Sequence, residues 1–172
     1  AFPGMIRAFN VLDGSLMWTF NSIPRPGEPG ADTWKTDDLE TAGGANVWTG
    51  MALDEERGLL FAPTGSATPD FYGAKRIGDN LYANSLLAID AKTGELRWHY
   101  QVVKHDLWDR DNPSPPTLVK VRRDKELIDA VTLTTKSGHL YVFDRDSGES
   151  LHPIVAVETD LPSTLPGEAP SK

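Results

Sequence analysis

The chain has 172 residues, a formal net charge of −8 and a pI near 4.9, so nonspecific attraction to nucleic acid or to an anionic membrane is disfavoured. Hydrophobic residues make up 39% and charged residues 24%, an ordinary balance for a folded chain and one that argues against disorder over most of its length. Cysteine is absent, which excludes disulfides, thiol catalysis and cysteine metal sites.

The 15 glycines and 13 prolines leave little room for long helices. No apolar run approaches the roughly 18 residues of a membrane span. Ala1-Phe2-Pro3-Gly4 leads straight into strand-like sequence, as a start inside a larger protein would. Residues 5–12 read MIRAFNVL, followed by Asp13-Gly14 and then SLMWTF, the signature of a strand, a tight turn and a second strand. The pattern returns at 86–100 (LLAIDAKTGELRWHY) and at 139–151 (HLYVFDRDSGESL). Asn10, Gly14 and Trp18 in the first copy correspond to Asp90, Gly94 and Trp98 in the second. In the third copy, Asp144 and Gly148 are followed by His152 at the tryptophan position.

The turn glycines lie 80 and 54 residues apart, so the first interval carries an insertion, placed at 21–46, where prolines and glycines deny a helix. A second excursion spans about 64–84. Residues 47–53 and 58–63 are expected to form a hairpin, with 85–90 and 95–102 completing a four-stranded unit. Residues 117–123, 129–135, 139–144 and 150–155 make another, 5–20 form the outer half of a preceding one, and the tail is coil. Short strands repeating near 50 residues indicate propeller blades. The expected fold is therefore all-β, a fragment of a β-propeller of about two and a half four-stranded blades with long loop insertions. The first blade ends at 20, the next spans 45–103, most of a third spans 115–156, and 157–172 is coil. Such a piece cannot close a ring, which predicts partial stability, self-association or missing blades.

Polar and aromatic residues concentrate in the excursions. His105-Asp106-Leu107-Trp108-Asp109-Arg110-Asp111 places three carboxylates within six residues. Asp106 has the chemistry of a general base or of a hard-metal ligand, while acids in such a cluster also cap turns and pair with arginine. Lys136, in Thr135-Lys136-Ser137-Gly138, sits between two strands, where it is either solvated or hydrogen-bonded to a carboxylate or carbonyl of a cofactor. Trp48 follows Gly43-Gly44-Ala45-Asn46-Val47 and serves either as a stacking platform for a flat ligand or as blade packing. The four histidines, His99, His105, His139 and His152, have no zinc spacing, and no phosphate loop, dinucleotide fingerprint or nucleophile elbow is present.

The strings GGANVW, PTGSATPDFYG, NLYANSLLAIDAKTGELRWHYQ, HDLWDRD, SPPTL and TKSGHLYVFDR, in this order, resemble the pyrroloquinoline-quinone (PQQ) dehydrogenases over about residues 3–155. Within that family the chain most resembles the membrane-bound quinoprotein glucose dehydrogenases. The resemblance implies an eight-bladed propeller of which this chain is an internal part. It implies PQQ with Ca2+ or Mg2+ as cofactors, oxidation of a sugar, ubiquinone as electron acceptor and a place at the periplasmic face of the inner membrane. By resemblance Asp106 is the catalytic carboxylate, Lys136 the basic residue beside the quinone oxygens, and Trp48 one face of the PQQ stack. Ser66 stands where the methanol-oxidising branch has a calcium-ligating asparagine, and the remaining metal ligands are expected on other blades, so the fragment alone is expected to be inactive. An alcohol or polyol dehydrogenase and a noncatalytic binding or assembly propeller are the competing readings.

Overall fold

The computed structural model describes residues 4–36, 39, 42–157 and 163–169. The opening tripeptide, parts of the 21–46 insertion and much of the expected terminal coil lie outside the described residues. The described chain is all-β with a short 3-10 turn at Ala31–Thr33. Strands β1 (Met5–Phe9) and β2 (Leu16–Asn21) form an antiparallel hairpin. Strands β4 (Ala52–Asp54), β5 (Leu59–Pro63), β7 (Ser85–Asp90) and β8 (Leu96–Gln101) form a four-stranded antiparallel sheet in that order. Strands β9 (Thr117–Arg123), β10 (Glu126–Thr134) and β11 (Leu140–Asp144) form a three-stranded sheet with β10 in the middle. The short strands β3 (Gly43–Gly44) and β6 (Ala67–Thr68) pair separately.

Strand β7 explains the layering. Its sequence, SLLAID, is apolar without alternation, as a strand covered on both faces must be. Leu86 and Ala88 pack with Phe61, Val131, Leu133 and Phe143, against the three-stranded sheet. Leu87 and Ile89 point the other way and pack with Ile6, Ala62 and Tyr82, on the side of the β1–β2 hairpin. Each of these four β7 side chains is fully buried, which is worth about 1.5–3 kcal/mol for each leucine or isoleucine. The insertion after β2 builds a core of its own from Ile23, Trp34, Ala42 and Ala45 with Ala67 and Ala83.

The sheets are also joined at their outer turns. Trp18 on β2 donates its indole N–H to the Ala91 carbonyl at 3.1 Å, and Trp98 on β8 donates to the Arg145 carbonyl at 2.9 Å. Each ring covers the turn glycine of the next sheet, Gly94 and Gly148 respectively.

The expected fourth strand at 150–155 reduces to one bridge, Phe143 with Ser150, plus a bond from the Leu151 amide to the Val142 carbonyl. Pro153 then has no N–H to extend the ladder. Likewise, β4 begins at Ala52 rather than at residue 47. The backbone before it is engaged elsewhere: Ala45 N donates to Ser66 O at 2.7 Å and Gly65 N to Asn46 O at 3.0 Å.

Candidate active site

The loop leaving β8 reverses twice, with His105 (φ 46°) and Asp109 (φ 54°) in left-handed conformation, a region that aspartate tolerates better than most residues. Between the two reversals Asp106 is folded inward and is only 3% exposed. One of its oxygens, Oδ2, accepts from Ser66 Oγ at 2.5 Å, Asn84 Nδ2 at 2.8 Å and Arg110 N at 2.6 Å. The other, Oδ1, accepts from Trp108 N at 2.9 Å. All four partners are donors, and together they tie the loop to β6 and to the start of β7.

Asp109 and Asp111 lie on the other side of this anchor. Lys136, in the turn between β10 and β11, places its ammonium 3.0 Å from Asp109 Oδ2, 3.0 Å from the Asp109 carbonyl and 3.0 Å from Asp111 Oδ2. Burial by itself would lower the Lys136 ammonium, but the hydrogen bonds and charges of Asp109 and Asp111 outweigh it and hold its pKa above the ordinary lysine value. For Asp111, burial opposes ionisation, yet the Ser66 N–H at 2.6 Å and the Lys136 ammonium hold its carboxyl below the usual carboxylate range. Asp70 is pushed the opposite way, first by burial and then by the carboxylates of Asp109 and Asp111.

Trp48 reaches this cluster through Gly65. A methyl group built on Gly65 would lie 2.6 Å from Asp111 Oδ1 and 3.2 Å from Trp48 Cδ1 and Nε1, so the indole and the carboxylate approach each other across a position that admits no side chain. Trp48 is 52% exposed. The structure thus joins Lys136 to Asp109 and Asp111 and sets Trp48 on the Gly65 side of Asp111, with Asp106 buried beneath the loop. Arg76, a guanidinium 2% exposed, supports the loop from below by donating to the carbonyls of Asp106 at 2.6 Å and Pro69 at 3.0 Å.

The grouping of Asp109 and Asp111 around Lys136 is the part that sequence reading missed. The available signal was the i, i+2 spacing of those acids in one segment and a lysine at a turn. His99, by contrast, is a packing residue: it meets Tyr82 edge-on, and burial lowers its pKa.

The pattern of sheets agrees with a comparison against known proteins. Residues 1–172 match the family described as PQQ, glucose/ethanol/alcohol dehydrogenase, beta-propeller domain. The chain belongs to the PQQ-dependent dehydrogenase family. It is 37% identical to the quinoprotein glucose dehydrogenase of Escherichia coli over 87% of this chain and 19% of that protein. It is also 37% identical to the quinate/shikimate dehydrogenase (quinone) of Acinetobacter baylyi, over 98% of this chain and 21% of that protein. Among solved structures, a quinohemoprotein alcohol dehydrogenase from Pseudomonas putida superposes with a TM-score of 0.79 at 31% identity, covering 88% of this chain and 24% of that one. The chain therefore spans about a fifth of the length of the curated relatives it matches. Its sheets are blades of the family's propeller type, and no closed ring forms within the described residues.

The chemistry of the cluster fits one side of a flat quinone: an exposed indole for stacking and a charged ammonium for the oxygens. A cation is another matter. Among the described residues no three His, Asp or Glu side chains converge to hold a metal, and the Ser66 hydroxyl is turned inward onto Asp106. No helix among the described residues is long and apolar enough to cross a membrane.

Proposed function

We propose that this segment carries one wall of the active site of a PQQ-dependent sugar dehydrogenase. The whole protein would oxidise an aldose such as glucose at the C1 hydroxyl to the lactone, at the periplasmic face of the inner membrane, and pass the electrons to ubiquinone. The observation that supports this reading most is the convergence of Trp48, Lys136, Asp109 and Asp111 from three separated stretches of chain.

PQQ, when bound, supplies an electrophilic carbonyl that takes up a hydride. Trp48 presents a rigid flat face to it. Lys136, kept charged by Asp109 and Asp111, would hold the quinone oxygens and supply positive charge beside them. A carboxylate must accept the proton of the substrate hydroxyl. We assign that role to Asp109, whose side chain is 42% exposed and bonded to Lys136. The sequence expectation gave it to Asp106, but a carboxylate already accepting four hydrogen bonds in a buried site is better suited to holding the loop. The other blades, the Ca2+ or Mg2+ ligands and the membrane anchor would come from the rest of the protein, and the isolated segment would be inactive or self-associate.

Relatives of similar identity include the quinate/shikimate enzyme and, at 31%, the glycerol dehydrogenase large subunit of Gluconobacter oxydans. They favour a polyol as the second reading of the substrate. Steady-state rates of the full-length protein, reconstituted with PQQ and Ca2+ or Mg2+, decide between them across glucose, other aldoses, glycerol, quinate and simple alcohols. Aldose turnover well above the rest is expected. A preference for glycerol, quinate or a simple alcohol overturns the sugar assignment, and the absence of any PQQ-dependent turnover overturns the dehydrogenase reading.

A further inference from the structure

The tail returns to the site from the far end of the chain. The side chain of Glu168 is 0% exposed and that of His105 is 1% exposed, with Oε1 and Nε2 3.2 Å apart. Both carboxylate oxygens of Glu168 accept from Gly73 N at 3.0 Å. Tyr72 Oη donates to the Pro166 carbonyl at 3.0 Å, and a methyl group on Gly167 would meet Ala74 Cβ at 3.3 Å. Gly73 leaves no alternative filling, because a methyl group there would lie 2.7 Å from His105 Nε2 and from Leu107 Cδ2.

These contacts bear on the active-site loop. His105 directly precedes Asp106, and its amide donates to the Asp79 carbonyl at 3.3 Å. The Phe71 amide donates to the Leu107 carbonyl at 3.1 Å. Glu168 therefore completes a three-way junction between the loop carrying Asp70, the loop carrying Asp106–Asp111, and the tail. The hydrogen positions follow from the partners. His105 Nδ1 lies 2.9 Å from the Gly78 carbonyl, which only accepts, so Nδ1 carries a hydrogen. For Nε2 to bond Glu168, one more hydrogen must lie between the ring and the carboxylate. An uncharged amide can meet the same demand, since its N–H donates to Nε2 while its carbonyl accepts from Gly73.

We propose that Glu168 is a positioning residue. Its side chain clamps the two site loops together through His105 and Gly73, and so sets where Asp109 and Asp111 meet Lys136. The catalytic half of this statement rests on the dehydrogenase reading above; the clamp itself does not.

Full-length protein loaded with PQQ and Ca2+ tests it with Glu168→Ala and Glu168→Gln, read by hydrogen exchange of peptides covering 70–80 and 104–112 and by steady-state kinetics. Glu168→Ala is expected to speed exchange in both peptides about tenfold, leave β5 and β7 unchanged, and lower kcat on the order of tenfold or more with KM little altered. Glu168→Gln should restore exchange and kcat to within about twofold of wild type, because it keeps both hydrogen bonds. Should the alanine variant not fold, Glu168→Asp, which withdraws the carboxylate by one methylene, is read in its place. Unchanged exchange in both peptides overturns the clamp. Faster exchange with full kcat, or a glutamine variant no better than alanine, overturns the positioning role. Wild-type protein without turnover would defeat the dehydrogenase reading, while the exchange measurement would still decide the clamp.

Discussion

The indole of Trp98 lies over Gly148 and donates its N–H to the carbonyl of Arg145 at 2.9 Å, so the last strand of one sheet is capped onto the turn of the next. Trp18 repeats the arrangement one sheet earlier with Gly94 and Ala91. A methyl group on Gly148 would fall 2.6 Å from Trp98 Cδ2, and the residue has φ 73°, so both the space and the backbone require glycine. In the full-length protein Trp98→Ala is expected to cost about 3 kcal/mol and Gly148→Ala about 1 kcal/mol or more. Both are read from denaturant midpoints at constant slope. A midpoint unmoved by Trp98→Ala would show that the cap is not what joins the sheets.

A second junction between the same two sheets is ionic. Asp54 is 5% exposed and lies 2.9 Å from Arg145 and 3.2 Å from Arg57, which also reaches Asp129 at 2.9 Å. Burial raises the Asp54 carboxyl, but the Arg145 hydrogen bond and the Arg57 contacts outweigh it and hold its folded pKa below the usual carboxylate range. A depressed carboxylate contributes stability that is present above its unfolded pKa and is lost as pH falls through the folded one. Asp54→Asn is expected to destabilise by about 3 kcal/mol near neutral pH. The gap to wild type should hold from pH 5 to 8 and close below about pH 4. Thermal midpoints of both proteins across that range check this, and a gap that persists at low pH would rule out the charge as its source.

Asp109 and Asp106 make opposite demands on a test of the proton acceptor. Asp109→Asn is expected to lower kcat by two to four orders of magnitude while leaving the melting temperature near that of wild type, since its side chain is 42% exposed. Asp106→Asn turns an amide N–H toward donors already aimed at the carboxylate. It is expected to lower stability by about 1–3 kcal/mol, with turnover falling as a consequence. Kinetics and melting on the same preparations separate the two. Full turnover in Asp109→Asn would return the role to Asp106.

The hairpins were legible because their signals are local: Asn10-Gly14, Asp90-Gly94 and Asp144-Gly148 each specify a tight turn within five residues. The β9–β10 connection was read less well. Asp124 and Lys125 both take positive φ there, with no glycine to announce it, so β10 starts at Glu126 rather than at 129. The repeat of tryptophan and glycine was visible, but not that each tryptophan serves the glycine of the following unit, some 50–80 residues away. In the candidate site, residue types drew attention to the loop at 105–111. Which carboxylate faces Lys136 depends on the left-handed turn at Asp109, and nothing in the local spacing of HDLWDRD reveals it. Glu168 reads as an ordinary tail residue, and its burial arises only through partners far back in the chain.

The central claim is that Trp48 and Lys136 serve one flat cofactor. It is tested most directly by titrating the full-length apoprotein with PQQ in wild type, Trp48→Ala and Lys136→Ala, following bound cofactor by absorbance. Each substitution is expected to weaken binding by about tenfold or more, roughly 1.4 kcal/mol, without loss of fold. Affinity equal to wild type in both variants would contradict the account.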